Sequence, residues 1–503
     1  MNKKNLTTKE TFDLAVQNHK KNNLQAAEKL YKEILKTNPN FEGAYNNLAN
    51  VLHELGKHQK AISCYEKAIQ IQPNYANAHY NLGLVFKKLG EFQKAVSCYE
   101  KAVQINPNFA GTHNNLGLVF KELGKFQKAV NCYEKAIQIN PNFVDAHNNL
   151  GAAYFELGEH QRAISCYKKV IQIEPNNLTS HWLSMNTFPI IYENLKEIDL
   201  YRKRFEDGTK KINHLLDTQS QYTKKQIVDA MKSSTNFYLS YQGRNDINLQ
   251  QKYANLIERL TEKIYPQFHQ ERTINKSKKF IKIGFVSSFF KNHTISILFK
   301  NWIIKLNRNF FNIFVYYIGN KFDKITSQIK ESSNDFFNHT DIDQLISRIS
   351  KDKLDILVYL DIGMDPRTQI LASLRLASIQ CTTWGHPVTS GFKNIDYFFS
   401  SELMKKKDSQ KYYSEKLINL PGIGIDYDHC DISNIKKLNI VKKSNKIIFL
   451  NLQSLFKLLP QDDHIYLDIL KKQPNCCFWF IHGLRNSISS IFKERISKLF
   501  QNH

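Results

Sequence analysis

Five prolines recur at a constant interval of 34 residues along the first third of this 503-residue chain: Pro39, Pro73, Pro107, Pro141 and Pro175. Each proline closes the same phrase, of which Tyr-Glu-Lys-Ala-Ile-Gln-Ile-Asn-Pro at 133–141 is one copy. A fixed period of this length is typical of helical pairs that stack into a solenoid. The sequence therefore predicts an extended binding surface before it predicts any chemistry.

The repeats span residues 8–177 and match the tetratricopeptide pattern, as in Leu-Gly-x-x-Phe at 82–86 with Tyr99 on the following helix. We expect an α-solenoid of five repeats, in which small residues let paired helices approach and aromatic residues fill the seam. Gly90 is predicted to end a first helix in the left-handed conformation. Repeat one has Asn22 where the later repeats have glycine, which suits a capping repeat.

A column of asparagines is the candidate binding feature of the repeats: Asn47, Asn81, Asn115 and Asn149. They recur on the first helices, which line the inner groove of such a superhelix. Amide side chains there can donate to and accept from the backbone of an extended protein or peptide, whatever its sequence. The alternative is that each asparagine bonds only within its own repeat.

The formal net charge of +24 comes from lysines spread along the chain, without a nucleic-acid-binding motif. It predicts a salt-sensitive attraction to acidic partners, and we do not expect nucleic acid as a partner. No apolar run approaches the ~18 residues of a membrane helix, so no membrane insertion is expected. Cysteines recur with the repeat period and no C-x-x-C pair occurs, which predicts a reducing, cytoplasmic compartment without disulfides or structural zinc.

The 34-residue period ends near residue 177, and the chain then changes character. Residues 178–276 are predicted to form a helical connector, with its clearest helices at 193–216 and 249–264. Further on, short apolar runs alternate with amphipathic stretches, which predicts a parallel α/β sheet with helices on both faces. The predicted strands are 280–286, 311–318, 354–360 and 379–383, and the predicted helices between them include 342–349 and 368–376.

Polar residues follow these strands at the edge where ligands of parallel sheets bind. They are Ser287, Ser288 and His293 after the first strand, Asp361 and Asp365 after the third, and Thr383 to Ser390 after the fourth.

Five blocks in order resemble the O-linked N-acetylglucosamine transferase and SPINDLY family: Val-Ser-Ser-Phe-Phe-Lys-Asn-His at 286–293, 355–365, Thr-Trp-Gly-His-Pro-Val-Thr-Ser-Gly at 383–391, Tyr-Ser-Glu-Lys-Leu at 413–417, and Gln-Ser-Leu-Phe-Lys at 453–457. The resemblance implies tetratricopeptide repeats followed by a two-lobed, GT-B-like glycosyltransferase of Rossmann type. Its N-terminal lobe would cover 277–440, and its nucleotide-sugar-binding lobe would begin at 441.

The resemblance implies a nucleotide-sugar co-substrate, UDP-N-acetylglucosamine first of all, without a cofactor or metal. Lys457 matches the lysine that stabilises the departing diphosphate, assisted by a helix expected to begin near Pro460. Gln453 and Ser454 are expected to contact the nucleotide. His386 and Thr389, with Ser390 beside them, are expected on the donor side.

His293 matches a histidine considered for a base or positioning role on the acceptor hydroxyl. The alternative is a loop histidine bonded to the backbone. Asp352 matches an acidic residue near the acceptor, with a solvated charge as its alternative. Asp-Ile-Asp at 341–343 has the spacing of a metal-binding motif, but it lies in a predicted helix.

After residue 441 we expect a strand at 446–451, a helix at 460–472, a strand at 476–482 and a helix at 487–501. Two strands fall short of a complete nucleotide-binding lobe, so 441–503 is expected to be incomplete. The resemblance implies a protein O-glycosyltransferase that acts on Ser/Thr of a protein held by the repeats. A repeat scaffold without catalysis is the alternative, and N-acetylglucosamine, fucose and glucose all stay open as the sugar.

Overall fold

The computed structural model describes residues 7–218, 221–270, 279–404, 408–426, 446–483 and 486–501, with the backbone alone at 486–487. The chain divides into two compact units after Pro175. The predicted domain boundaries at 276–277 and 440–441 lie outside the described residues.

The first unit is the predicted repeat solenoid, and its described part holds ten helices in five antiparallel pairs. Within each pair the helices are joined by a short turn, and the proline phrase starts the next pair. The helices are α1 (Thr8–Lys20), α2 (Leu24–Thr37), α3 (Glu42–Glu54), α4 (His58–Ile71), α5 (Ala76–Lys88), α6 (Phe92–Ile105), α7 (Ala110–Glu122), α8 (Phe126–Ile139), α9 (Val144–Leu157) and α10 (His160–Ile173).

The predicted seam between paired helices is a glycine packed against a tyrosine ring. A methyl group on Gly117 would lie 2.6 Å from Cε1 of Tyr133. The same holds for the equivalent pairs of the neighbouring repeats, Gly83 with Tyr99 and Gly151 with Tyr167. These tyrosines are buried, so the missing side chain is what allows the two helices to approach.

The turns between paired helices also follow the sequence prediction. Gly56, Gly90, Gly124 and Gly158 have φ angles of 75°, 76°, 69° and 83°. Asn22, at the equivalent turn of repeat one, has a φ angle of 60°. Asparagine is one of the few non-glycine residues that tolerates this region, so the degenerate repeat keeps the same turn.

The second unit begins with the connector helices α11 (Leu178–Asn186), α12 (Leu195–Thr218), α13 (Lys224–Ser233) and α14 (Ile247–Ile264). The two helices predicted here correspond to α12 and α14. A 3₁₀ segment, Phe237–Tyr241, lies between α13 and α14.

The main sheet has seven parallel strands in the order β3-β2-β1-β4-β5-β6-β7. The strands predicted from sequence are β1, β2, β4 and β5, whereas β3, β6 and β7 were missed. In chain order the elements are β1 (Ile281–Ser287), α15 (Thr294–Ile304), β2 (Phe311–Tyr317), α16 (Lys324–Glu331), β3 (Asp335–Asn338), α17 (Ile342–Asp352), β4 (Ile356–Tyr359), α18 (Pro366–Ala372), β5 (Ile379–Thr383), β6 (Tyr397–Ser401) and β7 (Lys416–Leu420).

Alternate residues of the strands face two different layers, as a period of two requires. On one face, Phe285 and Val315 pack with Phe299 of α15 and Ile329 of α16. On the other face, the Tyr316 hydroxyl donates to a carboxylate oxygen of Asp352 on α17 at 2.7 Å. The prediction of a parallel α/β sheet with helices on both faces is confirmed.

The last described part contains a separate two-stranded parallel sheet, β8–β9. Its elements are β8 (Ile447–Asn451), α19 (His464–Lys472), β9 (Cys476–Phe480) and α20 (Asn486–Gln501). Leu455 and residues of α20 such as Phe492 bury apolar surface against Ile190 and Ile191 of the connector. The connector is therefore a packed part of the second unit that contacts both sheets.

We predict that Gly124→Ala lowers the free energy of unfolding of the repeat unit by about 1–2 kcal/mol, the cost of a left-handed alanine. No atom lies within 4 Å of the new methyl group, so the loss is backbone strain. The loss is measured as a lower midpoint of unfolding, followed by far-UV circular dichroism.

Gly124→Asn is the matched control for this experiment, because the chain itself uses asparagine at the equivalent turn in repeat one. It should cost clearly less than alanine. Equal losses for the two variants would contradict the explanation from backbone strain.

Candidate functional site

The candidate site lies at the carboxyl edge of the seven-stranded sheet, where the loops after β1, β4 and β5 meet. These loops carry Ser287 to His293, Leu360 to Asp365 and Trp384 to Ser390. Because neighbouring strands are parallel, their carboxyl ends share one edge.

Asp361 is the buried centre of this edge. Its Oδ2 accepts from the backbone N–H of Ser288 at 3.3 Å and from the Ser288 hydroxyl at 3.1 Å. Its Oδ1 is buried without a hydrogen-bond partner among the described residues. Burial, with a smaller contribution from the charge of Asp365, raises the pKa of Asp361 to about 7. The carboxyl group thus ties the β1 loop to β4 and titrates near neutral pH.

His293 forms the N-cap of α15. Its Nδ1 accepts from the backbone N–H of Ile295 at 3.2 Å, and its ring stacks on Phe289 with centroids 4.2 Å apart. Burial, and then the charge of Lys291, lowers the pKa of His293. A neutral imidazole that accepts at Nδ1 carries its proton on Nε2, so Nε2 is a hydrogen-bond donor. This geometry favours positioning by donation over proton abstraction.

His386 is enclosed in the protein rather than open to a ligand. Its Nε2 lies 2.9 Å from the Ser240 hydroxyl, and its ring stacks on Phe237 with centroids 5.5 Å apart. Burial lowers the pKa of His386 to about 4, so the ring is neutral near pH 7. Gly363, at a φ angle of 95°, leaves room for the ring, since a Cβ there would lie 2.9 Å from Cδ2 of His386.

Thr389 and Ser390 are taken up by a contact within the sheet edge. The Thr389 hydroxyl donates to Glu415 Oε2 at 2.6 Å, and the Ser390 backbone N–H donates to Glu415 Oε1 at 2.7 Å. All three residues are buried. The arrangement anchors the loop after β5 to the segment before β7. Because the Thr389 hydroxyl is already bonded to Glu415, Thr389 can influence a donor only by fixing the conformation of this loop.

Lys457 ends a 3₁₀ turn, Leu455–Lys457, and its side chain is exposed. Gln453 and Ser454, just before the turn, are exposed as well. The predicted α-helix near Pro460 begins later, at His464, after a separate 3₁₀ turn at Pro460–Asp462. The predicted helix N-terminus beside Lys457 is therefore displaced along the chain.

An aromatic cluster, defined here as Phe237, Tyr238, Tyr241, His386 and Phe456, joins the Lys457 turn to the sheet edge. Phe456 packs edge-on against Tyr241 with centroids 4.8 Å apart, and against Tyr238 at 5.9 Å. The Lys457 ammonium lies 6.0 Å from the centroid of the Tyr241 ring. The cluster thus brings the exposed Lys457 next to the loops that hold His386.

Asp352 does not join this group. It ends α17, ahead of β4, at the amino edge of the sheet, where its carboxylate accepts from Tyr316 and from Arg348 Nε at 2.9 Å. These contacts make it a structural anchor, away from the edge that carries His293. In the predicted metal-binding spacing, Asp341 caps α17 and Asp343 pairs with Lys224 at 2.5 Å.

Three of the four column asparagines donate hydrogen bonds to the preceding repeat, whereas Asn47 accepts from Asn46 of its own repeat at 3.1 Å. Asn81 donates to Asn46 at 3.2 Å, Asn115 to Tyr80 at 2.9 Å and Asn149 to Asn114 at 3.0 Å. Neither interpretation made from the sequence, binding to an acceptor backbone or bonding within one repeat, includes these inter-repeat bonds. All four column residues stay partly exposed, so the bonds orient the amides without burying them.

Two features are absent from the described residues. No group of three or more His, Cys, Asp or Glu side chains there is arranged to hold a metal ion. No helix among them is long and apolar enough to cross a membrane.

Comparison with known proteins agrees with this architecture. Tetratricopeptide models match at 49–90, 117–158 and 144–177 among others, and the model for glycosyl transferase family 41 matches residues 202–446. The chain therefore combines tetratricopeptide repeats with a region that matches the family 41 glycosyltransferases. That region takes in most of the connector and all of the seven-stranded sheet.

Named relatives point the same way. Two probable UDP-N-acetylglucosamine–peptide N-acetylglucosaminyltransferases of Arabidopsis thaliana, SEC and SPINDLY, are 29% identical over 215 residues and 26% identical over 221. These alignments cover 40% and 42% of this chain, but the chain spans only 22% and 24% of those relatives' length. An O-GlcNAc transferase structure from Thermobaculum terrenum shares the fold, with a TM-score of 0.56, 16% identity, and coverage of 84% of this chain and 72% of that one.

Sequence reasoning missed the contribution of the connector and of Glu415 to this site. Ser240 and Phe237 contact His386 from about 150 residues away in sequence, and Glu415 reaches Thr389 from 26 residues away. The aromatic run Phe-Tyr-Leu-Ser-Tyr at 237–241 was the available signal.

We predict that the second unit loses stability as the pH rises from about 4 to about 7, because the folded state keeps the Asp361 carboxyl protonated. The pKa of Asp361 in the folded protein is about 7, above its ordinary value of 3.8. The protonated carboxyl therefore stabilises the folded state fully below pH 3.8, and this contribution is lost as the pH rises through about 7. One pKa unit corresponds to about 1.4 kcal/mol, so the loss between pH 5 and pH 7 should be about 2–3 kcal/mol.

Urea unfolding followed by tryptophan fluorescence measures this loss, since all four tryptophans lie in the second unit. Asp361→Asn, which keeps an acceptor for Ser288, should flatten the pH dependence. A variant profile parallel to that of the wild type would contradict the assignment.

Proposed function

We propose that this chain acts in protein O-glycosylation, moving a sugar from a nucleoside diphosphate to Ser or Thr of a protein held by the repeats. The observation that carries the proposal is the family 41 region at 202–446, whose sheet presents His293, Asp361 and His386 at one edge. A repeat scaffold without catalysis is less well supported, because the model that matches this region is that of a glycosyltransferase family.

The donor we propose is UDP-N-acetylglucosamine, which is part of the names of both Arabidopsis relatives. In the transfer, the acceptor hydroxyl oxygen bonds to the anomeric carbon while the bond from that carbon to the diphosphate oxygen breaks. The hydroxyl proton passes to a basic oxygen, of water or of the departing diphosphate, and negative charge develops on that diphosphate. A fixed cation beside that oxygen lowers the barrier.

Lys457 is the residue we assign to the diphosphate. It lies beyond the residues matched by the family model, so the assignment rests on its place beside the aromatic cluster and on the resemblance of 453–457. Gln453 and Ser454 are exposed beside it and are proposed to contact the nucleotide.

His293 is proposed to position donor or acceptor oxygens through its Nε2–H, given the bond that occupies Nδ1. His386 and Thr389 are proposed to shape the donor side indirectly, through their buried contacts. Asp352 has no proposed catalytic part, since its carboxylate is engaged by Tyr316 and Arg348.

For the repeat unit, we propose that the asparagine column binds the backbone of acceptor proteins. The inter-repeat bonds use one N–H each of Asn81, Asn115 and Asn149 and leave further hydrogen-bonding capacity on these partly exposed side chains. We also propose a reducing, cytoplasmic setting. It is supported by the half-buried, free Cys64, Cys98, Cys132 and Cys166.

We predict that Lys457→Ala weakens UDP binding about ten- to a hundredfold, the range expected for loss of a charge-assisted contact. Isothermal titration with UDP measures the affinity, and transfer from UDP-N-acetylglucosamine to a Ser/Thr peptide measures the reaction. Lys471→Ala, an exposed lysine of α19, is the matched control and should bind UDP as the wild type does. Unchanged UDP affinity in the Lys457 variant would reject the assignment.

A second prediction addresses the groove. Replacing Asn81, Asn115 and Asn149 together with Ala should weaken capture of acceptor protein several-fold, because each lost amide removes bonds to backbone worth about 1 kcal/mol. The control replaces the exposed turn residues Asn74, Asn108 and Asn142. Equal capture by both triple variants, each checked by circular dichroism, would remove the column from acceptor binding.

A further inference from the structure

Arg495 on α20 is a buried arginine that contacts three separate segments of the second unit. Its Nη1 donates to the backbone carbonyl of Tyr192 in the connector at 2.8 Å. Its Nη2 donates to the carbonyl of Leu458 and to Asp463 Oδ1, both at 2.9 Å. The side chain is 6% exposed, and its guanidinium lies 5.0 Å from the centroid of the Phe492 ring.

The contact with Leu458 matters because this residue directly follows Lys457. The turn that carries Lys457 is short, with Lys457 N–H donating to Ser454 O at 2.9 Å and Leu458 N–H donating to Leu455 O at 3.1 Å. The first residue of the turn, Leu455, is held by burial in the apolar cluster with Ile190 and Phe492. Arg495 holds Leu458, the residue after the turn, and its bond to Tyr192 connects this end of the turn to the connector.

The fork of a guanidinium is needed for this arrangement. Two nitrogens of one planar group reach two carbonyls and a carboxylate at the same time, which a lysine ammonium does not match. Burial raises the pKa of Asp463, and Arg495 opposes that rise. A buried ion pair of this kind contributes little net stability. Its main effect is to hold the bonded segments in a fixed arrangement.

We propose that Arg495 is a positioning residue that holds the Lys457 turn in place for a nucleoside diphosphate. The inference rests on the proposed role of Lys457. Arg495 touches no substrate in this scheme, and its effect on the ligand passes through the backbone at Leu458.

A double-mutant cycle on UDP affinity tests this coupling. The four proteins are the wild type, Lys457→Ala, Arg495→Lys and the double variant, each in the full chain. Arg495→Lys should weaken UDP binding about tenfold, within the range of coupling between neighbouring groups. In the Lys457→Ala background the same change should have no further effect, because the cation that it positions is gone.

Lys498→Ala is the matched control, on the same helix and in an exposed pair with Glu494. It should leave UDP affinity unchanged. Amide hydrogen exchange supplies an independent readout: Arg495→Lys should speed exchange at residues 455–458 and leave α14 as it is, whereas Lys498→Ala should change neither.

If Arg495→Lys lowers the unfolding midpoint, the cycle is repeated with a second variant that carries both Arg495→Gln and Asp463→Asn. This variant removes the buried ion pair without leaving an unpaired charge. Additive losses in the cycle would overturn the positioning role and leave Lys457 as the diphosphate ligand. Unchanged UDP affinity in Lys457→Ala, or no UDP binding by the wild type, would overturn the proposed role of Lys457 and this inference with it.

Discussion

The packing of Phe237 and Tyr241 against His386 and Phe456 is the contact on which the organisation of the second unit depends. It joins the connector, the carboxyl edge of the large sheet and the turn that carries Lys457. Aromatic pairs of this kind add about 0.5–1.5 kcal/mol each to the burial of their surface. The relative placement of the lysine and the sheet edge therefore depends on this aromatic packing as well as on the hydrogen bonds that Arg495 makes to Leu458 and Tyr192.

The charges at this edge follow from the same burial. His386 is neutral because it is enclosed, and a half-buried His293 has a lowered pKa. The edge thus offers neutral hydrogen-bonding groups, while Lys457 stands exposed beside it. In the transfer that we propose, the diphosphate that gains negative charge lies at the lysine and the neutral sugar hydroxyls lie beside His293.

Local patterns predicted most of the fold. The 34-residue period gave the paired helices, the left-handed glycine turns and the equivalence of Asn22 with them, because each depends on residues a few positions apart. The strands that were missed lie toward the two ends of the sheet: β3 pairs with β2 at one end, and β6 and β7 follow β5 at the other. Their existence depends on the sheet that they extend.

The candidate site was predictable in position and less so in detail. The loops after β1, β4 and β5 were expected to carry it, since parallel strands share a carboxyl edge. The burial of His386 and the engagement of Thr389 depend on Phe237 and Glu415, which are distant in sequence. The residues adjacent to Asp352 in sequence gave no sign of a bonding partner. In the structure its carboxylate accepts from Tyr316 on β2, 36 residues away in sequence.

The hydrogen bonds between repeats also bear on how the solenoid finds its register as it folds. The glycine–tyrosine seam is the same in three successive repeats, so a helix pair docked one repeat out of place would satisfy it equally well. The column differs from step to step: Asn115 meets a tyrosine hydroxyl and the Lys87 ammonium, whereas Asn81 and Asn149 meet amides. Tyr80 thus marks one junction as unlike its neighbours, because the equivalent positions 46, 114 and 148 are asparagines, and it disfavours a shifted alignment that the repeated core would tolerate.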